Sequence, residues 1–517
     1  MKNRNFKFII CALCSAVLML SSCNKWLDIT SDQEVIEEDA FASTRGYRSA
    51  LTGVYKIVAS EALYGQELTW GLKASLAWNY KYGNAIPKYR NALAAVLNGS
   101  NEIHQDANTK AMAENIWKKS YNAIANINNL LQQIEKCNDT FEYDWEKDMI
   151  MAEARGLRAL LHFELLQLFV PAPVTGYTGT AIPYVTTYPD LAPARKSLDE
   201  CLRLVIEDLE YAQETLAPID IDELRNKSQF VSGGTKMDNM DLVLFQGVGN
   251  IHSDGGKRDN AYGDGFFAFR GYRFNYWSAT GMLARVYSYM RDFDNAEDYA
   301  DTIIEWIRPN QFNLYKTNSK PNADPTKDQV DGKRRPEPIL AFWNDKVAED
   351  YTTEVGTIYH QMVELSYLFD GDETADYRYT GLYNTEDLRY RVWSNFSEHK
   401  TIKQYSHPLI PVLELPEIYF IKAECQAQAG FFTDAAATLK LVRDARACTQ
   451  PVSTPDMDTF MEKMVNEAER DFLTRGTTFT FLKKLNWPTM YDGTPTRQAI
   501  PESWYVLPIP DSETVNY

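Results

Sequence analysis

Residues 277–306 read WSATGMLARVYSYMRDFDNAEDYADTIIEW, and residues 417–447 read EIYFIKAECQAQAGFFTDAAATLKLVRDARA. Each is a helix-turn-helix pattern. In the first, Ala284, Tyr287 and Ala296 lie on helical stripes either side of a turn at Asp292-Phe293-Asp294. In the second, Ala423, Ala427 and Ala435 surround Gly430-Phe431-Phe432. The small residues facing across each hairpin are twelve apart, 284 to 296 and 423 to 435, which lets two helices approach closely.

This is the spacing of a tetratricopeptide-type unit, a repeat of about 34 residues. Two clear copies so far apart predict helix hairpins interrupted by long loops, not a regular solenoid. Outward from them, helical periodicity places helices over Ser43–Ile57, with Tyr47, Ala50, Leu51, Val54 and Tyr55 on one face, and over Ala111–Ile134. A partner runs from Trp145 to Leu168, where Pro171 and Pro173 stop it, and Ser197-Leu198-Asp199-Glu200 is a capping box that opens the next helix. A last pair is expected over Asp458–Leu485. Residues 60–108, 217–273 and 308–400 lose periodicity and read as loops of an irregular, aromatic-rich lobe. Alternation with period two is almost absent, so the expected fold is mainly α with a few short strands.

The chain opens MKNRNFKFIICALCSAVLMLSSCN: three basic residues, an apolar run from Phe8 to Leu20, then Leu20-Ser21-Ser22-Cys23. The run is too short for a permanent span and has the flanks of an export signal. Small residues directly before Cys23 look like a bacterial lipobox, so residues 1–22 are expected to be removed and Cys23 to carry acyl chains. Each buried methylene adds about 0.8 kcal/mol of anchoring. Residues 23–517 then form one large unit. Without the three signal charges, 50 basic residues face 71 acidic ones, a balance of −21 that repels nucleic acid and anionic lipid headgroups. Beyond Cys23 only Cys137, Cys201, Cys425 and Cys448 remain, with no C-x-x-C pair, which argues against a disulfide framework or a zinc site.

Several segments, in order, resemble one family. They are Cys23 followed by Trp26-Leu27-Asp28, Ala50-Leu51-Thr52-Gly53-Val54-Tyr55, Glu153-Ala154-Arg155 with Leu157-Arg158-Ala159, and Asp208-Leu209 with Ala212. Phe274-Asn275-Tyr276-Trp277, Leu283-Ala284-Arg285-Val286-Tyr287 and Asp387-Leu388-Arg389 follow, then Leu415-Pro416-Glu417-Ile418-Tyr419, Lys422-Ala423-Glu424, Glu469-Arg470 and the Leu-Pro-Ile-Pro ending. Together they are similar to the SusD-like (SusD/RagB) nutrient-binding lipoproteins of Bacteroidetes outer membranes. The resemblance implies four tetratricopeptide-like hairpins with an irregular ligand lobe, on a lipid-anchored protein at the cell exterior. It also implies that the protein passes glycans, or peptides, to a SusC-like TonB-dependent transporter and does no chemistry. Phe472-Leu473-Thr474-Arg475-Gly476 departs from the pattern, lacking the acidic residue often found before this glycine.

A sugar ring offers an apolar CH face to Trp or Tyr and hydroxyls to amide, carboxylate or guanidinium groups, so a glycan site needs exposed rings beside such partners. Trp70, Trp78, Asn79, Tyr80 and Tyr82 have that composition in a region where the resemblance places ligand contacts. Trp343, with Phe342 and Asn344, and Tyr359 and Tyr367 fall in the other such region; Tyr262 and Phe266 lie in the long central loop. Tyr287, Tyr419 and Trp277 sit on helical stripes and are assigned to packing. Enzyme motifs fail. Gly255-Gly256-Lys257-Arg258 lacks the first glycine and the Ser or Thr of a phosphate loop, and neither H-E-x-x-H nor G-x-S-x-G occurs. Asp370-Gly371-Asp372-Glu373 with Asp376 does not keep the EF-hand pattern, so calcium is unsupported and no cofactor is expected. Two rival readings are a membrane-anchored polysaccharide hydrolase, which would release product, and a helical-repeat scaffold that binds only proteins.

Overall fold

The computed structural model describes residues 40–80, 106–223, 229–232, 235–238, 266, 270–305, 314, 337–351, 353–354, 408–446, 451–491 and 497–514. The described chain is mainly helical, with four two-stranded antiparallel pairs, one of them β3 (Gln229–Ser232) with β4 (Thr235–Asp238). Helix α1 (Thr44–Val58) buries Tyr47, Leu51, Val54 and Val58. After a short helix α2 (Leu72–Leu76) come α3 (Ala107–Lys136), capped by Asp106 accepting from the Thr109 N–H at 2.8 Å, and α4 (Glu146–Phe169). Helix α4 is buried on every face over nearly its whole length, charged residues included, the signature of a central helix. Strands β1 (Thr180–Pro183) and β2 (Arg195–Ser197) pair and lead into α5 (Leu198–Ala217), whose Ser197 cap accepts from the Glu200 N–H at 3.2 Å.

The two hairpins read from the sequence form as α6 (Tyr276–Met290) with α7 (Phe293–Glu305) and, further on, as α9 with α10. Between them β5 (Pro338–Trp343) and a short α8 (Val347–Tyr351) precede β6 (Leu409–Glu414), which pairs with β5 and runs straight into α9 (Leu415–Gln428) and α10 (Phe432–Ala445). Ala284, Ala296, Ala423 and Ala435 are all fully buried, where the paired helices touch. Helix α5 packs on α4 and α6, and α7 on α9, so the hairpins form a tetratricopeptide-like stack. Helices α11 (Met457–Asp471) and α12 (Thr477–Lys484) close it.

Buried ion pairs stitch the stack, and they involve the charged residues of the family-like segments. Arg285 of α6 holds Glu417 of α9 with both nitrogens, at 2.6 and 2.5 Å. Arg158 of α4 holds Asp208 of α5 bidentately at 2.8 Å, with Arg155 on the same carboxylate at 2.7 Å. Arg446, fully buried, lies between Glu337 and Asp471. Removing one member of such a pair strands a charge in low dielectric, which costs far more than the pair itself contributes.

Three loop expectations are corrected. Within 217–273, Pro218–Glu223 form a π-helical turn and Gln229–Ser232 pairs with Thr235–Asp238 as a hairpin. Residues 61–80 are not a long loop: a π-helical turn (Glu61–Gly65), further turns and α2 pack them into the core, and breaks at Gly65 and Gly71 hide the period. Within 308–400, residues 338–351 carry β5 and α8. Cys137, Cys201 and Cys425 are free thiols, while Cys23 and Cys448 lie outside the described residues.

Two buried bases generate predictions. The Lys483 ammonium is buried and makes no hydrogen bond among the described residues; burial drives its pKa well below the usual lysine value, with Glu164 opposing and Lys73 assisting. The folded state therefore disfavours its charge at every pH below the free lysine value. Lys483→Met is expected to raise stability at pH 7 by about 1–3 kcal/mol, read from urea unfolding. His162 accepts the Val185 N–H at 3.1 Å, its other ring nitrogen faces the Arg158 carbonyl at 3.0 Å, and it stacks on Tyr184 at 3.8 Å. Burial, then the Arg158 charge, pushes its pKa down to about 3. The unfolded chain thus takes up this proton between pH 6.5 and 3 while the folded chain does not, and stability falls as pH falls through that window. His162→Gln should remove about 1.4 kcal/mol per pH unit from the slope of stability against pH near pH 5.

Candidate functional site

The outer face of α1 carries Arg45, Arg48, Ser49, Thr52 and Lys56 at helical spacing, and together with Glu142 and Phe266 they line a surface cleft of about 620 Å³. Arg48 is spoken for: it holds the buried Glu146 at 2.5 and 2.7 Å and reaches Glu142 at 3.3 Å. Arg45 and Lys56 are exposed and make no ion pair among the described residues. The cleft therefore offers two cations, two hydroxyls and a half-buried ring.

Phe266 is placed from beneath. Glu153, fully buried in α4, accepts from Arg270, from Arg273 at 3.0 Å and from the Tyr55 hydroxyl at 2.6 Å. Arg270 also holds Asp220 at 3.0 and 3.1 Å. Burial raises the Asp220 carboxyl pKa even though Arg270 pulls it down. Arg273 donates to the Phe266 carbonyl and its guanidinium lies 4.6 Å from the Phe266 ring centre, while Arg48 lies 5.0 Å from it. Two buried carboxylates thus fix the arginines at the ring, Glu153 holding Arg273 and Glu146 holding Arg48.

At the other end of α1, β5 emerges. Phe342 is buried against Tyr64 (5.2 Å) and Tyr55 (6.0 Å), and the Asn344 amide donates to the Ala59 carbonyl at 2.8 Å. Trp343, at the end of the strand beyond five buried residues, is 48% exposed, with its indole N–H on Asp345 at 2.5 Å. Trp343 is an exposed ring on a rigid element, flanked by an amide and a carboxylate.

Four of the expected contact residues are corrected. Trp70, Trp78, Asn79 and Tyr80 are buried and present no face to a ligand. The Trp70 N–H donates to the Gly65 carbonyl at 3.0 Å and the ring stands edge-on to Tyr351, while the Tyr80 hydroxyl donates to the Trp70 carbonyl. Trp78 packs near Trp504, 6.3 Å away. The Asn79 amide oxygen accepts the Thr474 N–H at 2.8 Å, supporting a backbone whose Thr474 and Gly476 both have positive φ. Gly476 is required there, because a Cβ would meet the Leu68 carbonyl at 2.2 Å. These side chains plug the seam between residues 61–80 and the C-terminal helices. Tyr82, Tyr262, Tyr359 and Tyr367, together with the 255–258 and 370–376 segments, lie outside the described residues. Trp277 and Tyr419 are buried, as expected of packing residues, and the half-buried Tyr287 stacks on Tyr299 at 5.6 Å. The polar face of α1 went unread because only its apolar stripe carries a periodic signal; the spacing 45, 49, 52, 56 was its one trace. Among the described residues no group of three or more His, Cys, Asp or Glu converges on a metal position.

The architecture is that of a helical-hairpin protein in which the Glu61–Gly65 turn and β5 pack on α1. Residues 25–229 match a family model, SusD-like, described as starch-binding associating with outer membrane. A SusD-like protein of Formosa agariphila is 28% identical over 211 residues, 40% of this chain; the chain spans 37% of the length of that relative. Among solved structures, a SusD superfamily protein from Bacteroides fragilis covers 92% of this chain and 98% of its own, with a TM-score of 0.60 at 17% identity. A SusD-like carbohydrate binding protein from Bacteroides vulgatus covers 92% and 96%, with 0.57 at 14%. Residues 25–229 are thus similar to the SusD-like family, and the fold of the described chain is similar to that of the SusD superfamily structures.

Glu153→Gln leaves Arg270 and Arg273 without their shared anion. It is expected to cost about 3 kcal/mol of stability in urea unfolding, and to speed hydrogen exchange around residue 266 more than around the α9–α10 hairpin.

Proposed function

We propose that this chain is a lipoprotein of the outer membrane, anchored through Cys23 and facing the exterior, that captures oligosaccharide in the surface around α1 and delivers it to a SusC-like TonB-dependent transporter without altering it. The observation that carries the reading is Trp343: an outward ring on a pinned strand end, beside Asn344 and Asp345, with a polar cleft along the neighbouring helix. Such a ring supplies the stacking face, and its fixed setting means little ordering entropy is lost on binding. Support for glycan as the ligand also comes from the match to a family described as starch-binding. The export signal and lipobox support the anchor, and the acidic balance suits a soluble body held at a membrane by acyl chains. On this reading residues 1–22 are the signal and 23–517 the binding unit, and Phe266 joins Trp343 as a ligand-facing ring.

The test is calorimetry of the purified protein against a panel of oligosaccharides and peptides, with product analysis of each mixture. Binding without product is expected, and mass spectrometry should find Cys23 acylated. No binding to any member, or release of shorter sugars, would refute the proposal. Trp343→Ala should weaken binding by about 1–3 kcal/mol while leaving the unfolding midpoint unchanged.

A further inference from the structure

A second cleft, of about 660 Å³, lies away from α1, between the outer face of α3 and the segment that follows β1. Its size falls in the range of about 300–1,000 Å³ usual for small-ligand sites. Trp117, Tyr121 and Tyr188 supply aromatic walls, and Pro183 and Pro193 supply CH surface.

The wall is built, not draped. The Tyr121 hydroxyl donates to the Pro183 carbonyl at 2.7 Å, and the Asn128 amide donates to the Val185 carbonyl at 3.0 Å and the Thr187 carbonyl at 3.4 Å. The Val185 N–H is taken by His162, and Asn128 is itself held by Arg158 at 2.8 Å. Four backbone groups of residues 183–187 are thus satisfied from beneath, and residues 186–190 are exposed. Tyr188 is 38% exposed, and its hydroxyl, the Thr187 hydroxyl and the Glu513 carboxylate have no partner among the described residues. Asp190 accepts only the Ala192 N–H, at 3.4 Å. The one cation, Lys118, already pairs with Glu114 at 2.5 Å. Rings, hydroxyls and two carboxylates without a free cation select a ligand that donates hydrogen bonds and carries no negative charge.

We infer that this cleft is a second saccharide site, for a short neutral oligosaccharide, separate from the surface around α1. Tyr188 is its stacking ring, and Thr187, Asp190 and Glu513 receive hydroxyl groups. The inference rests on the reading of the chain as a glycan binder.

Hydrogen exchange of the full-length protein in detergent tests it, with maltotetraose and cellotetraose at millimolar concentration as neutral probes and tetragalacturonate as the charged one. At least one neutral probe should slow exchange in peptides covering 183–193 and 117–125; tetragalacturonate should not. Tyr188→Ala, at an exposed position that leaves the fold intact, should weaken that protection about tenfold and spare protection near Trp343. Protection near Trp343 alone would overturn the second site and leave the glycan reading standing. Protection of 183–193 that persists in Tyr188→Ala, or that tetragalacturonate produces equally, would also overturn it. No protection anywhere by either neutral probe would overturn both.

Discussion

The buried carboxylate of Glu153 is the constraint on which the surface around α1 depends. It sits in α4, the most enclosed helix, and receives two guanidinium groups and a tyrosine hydroxyl from elsewhere in the chain. A charge so placed is tolerable only when its lone pairs are filled, so Arg270, Arg273 and Tyr55 have little freedom to be anywhere else. Through Arg273 that restriction reaches Phe266, and through Tyr55 it reaches Phe342 and so the strand that ends in Trp343. The same helix uses Arg155 and Arg158 to hold Asp208 and, about three turns on from Glu153, Glu164 to hold Lys73 at 2.7 Å. Polar groups on α4 set its neighbours' positions more specifically than its leucines do, since apolar contact has no preferred direction.

Much of the scaffold was legible in the sequence. Ala284 and Ala296, and Ala423 and Ala435, declare close helix crossings because only a methyl fits there, and all four are buried where the hairpins touch. The Ser197 capping box and the proline stop at 171 fixed helix ends to within a residue or two. The charged letters of the family-like segments were legible as marks but not as contacts. Arg285 and Glu417 stand 132 positions apart, and nothing local says that they meet.

The candidate site was harder to read, for a physical reason. Trp and Tyr serve a core seam and a sugar platform equally well, and composition does not reveal which side of a ring is covered. Residues 61–80 look like an aromatic loop because tight turns interrupt every period, yet those rings are spent on one another and on Trp504 and Tyr351. Trp343 is named by its place beside Phe342 and Asn344, yet nothing local says that it, unlike the five strand residues before it, is exposed. The α1 cleft and the Tyr188 cleft left almost no trace, since polar residues on a helix and a proline-containing connection are what any surface shows.

Helix α1 keeps its two duties on separate faces: Leu51, Val54 and Val58 belong to the interior, while Arg45, Ser49, Thr52 and Lys56 belong to the cleft. Outward letters on a helix can be exchanged without disturbing the inward ones. A lineage carrying this architecture is therefore free to change the chemistry of that cleft, one codon at a time, on a chassis that never has to be reinvented.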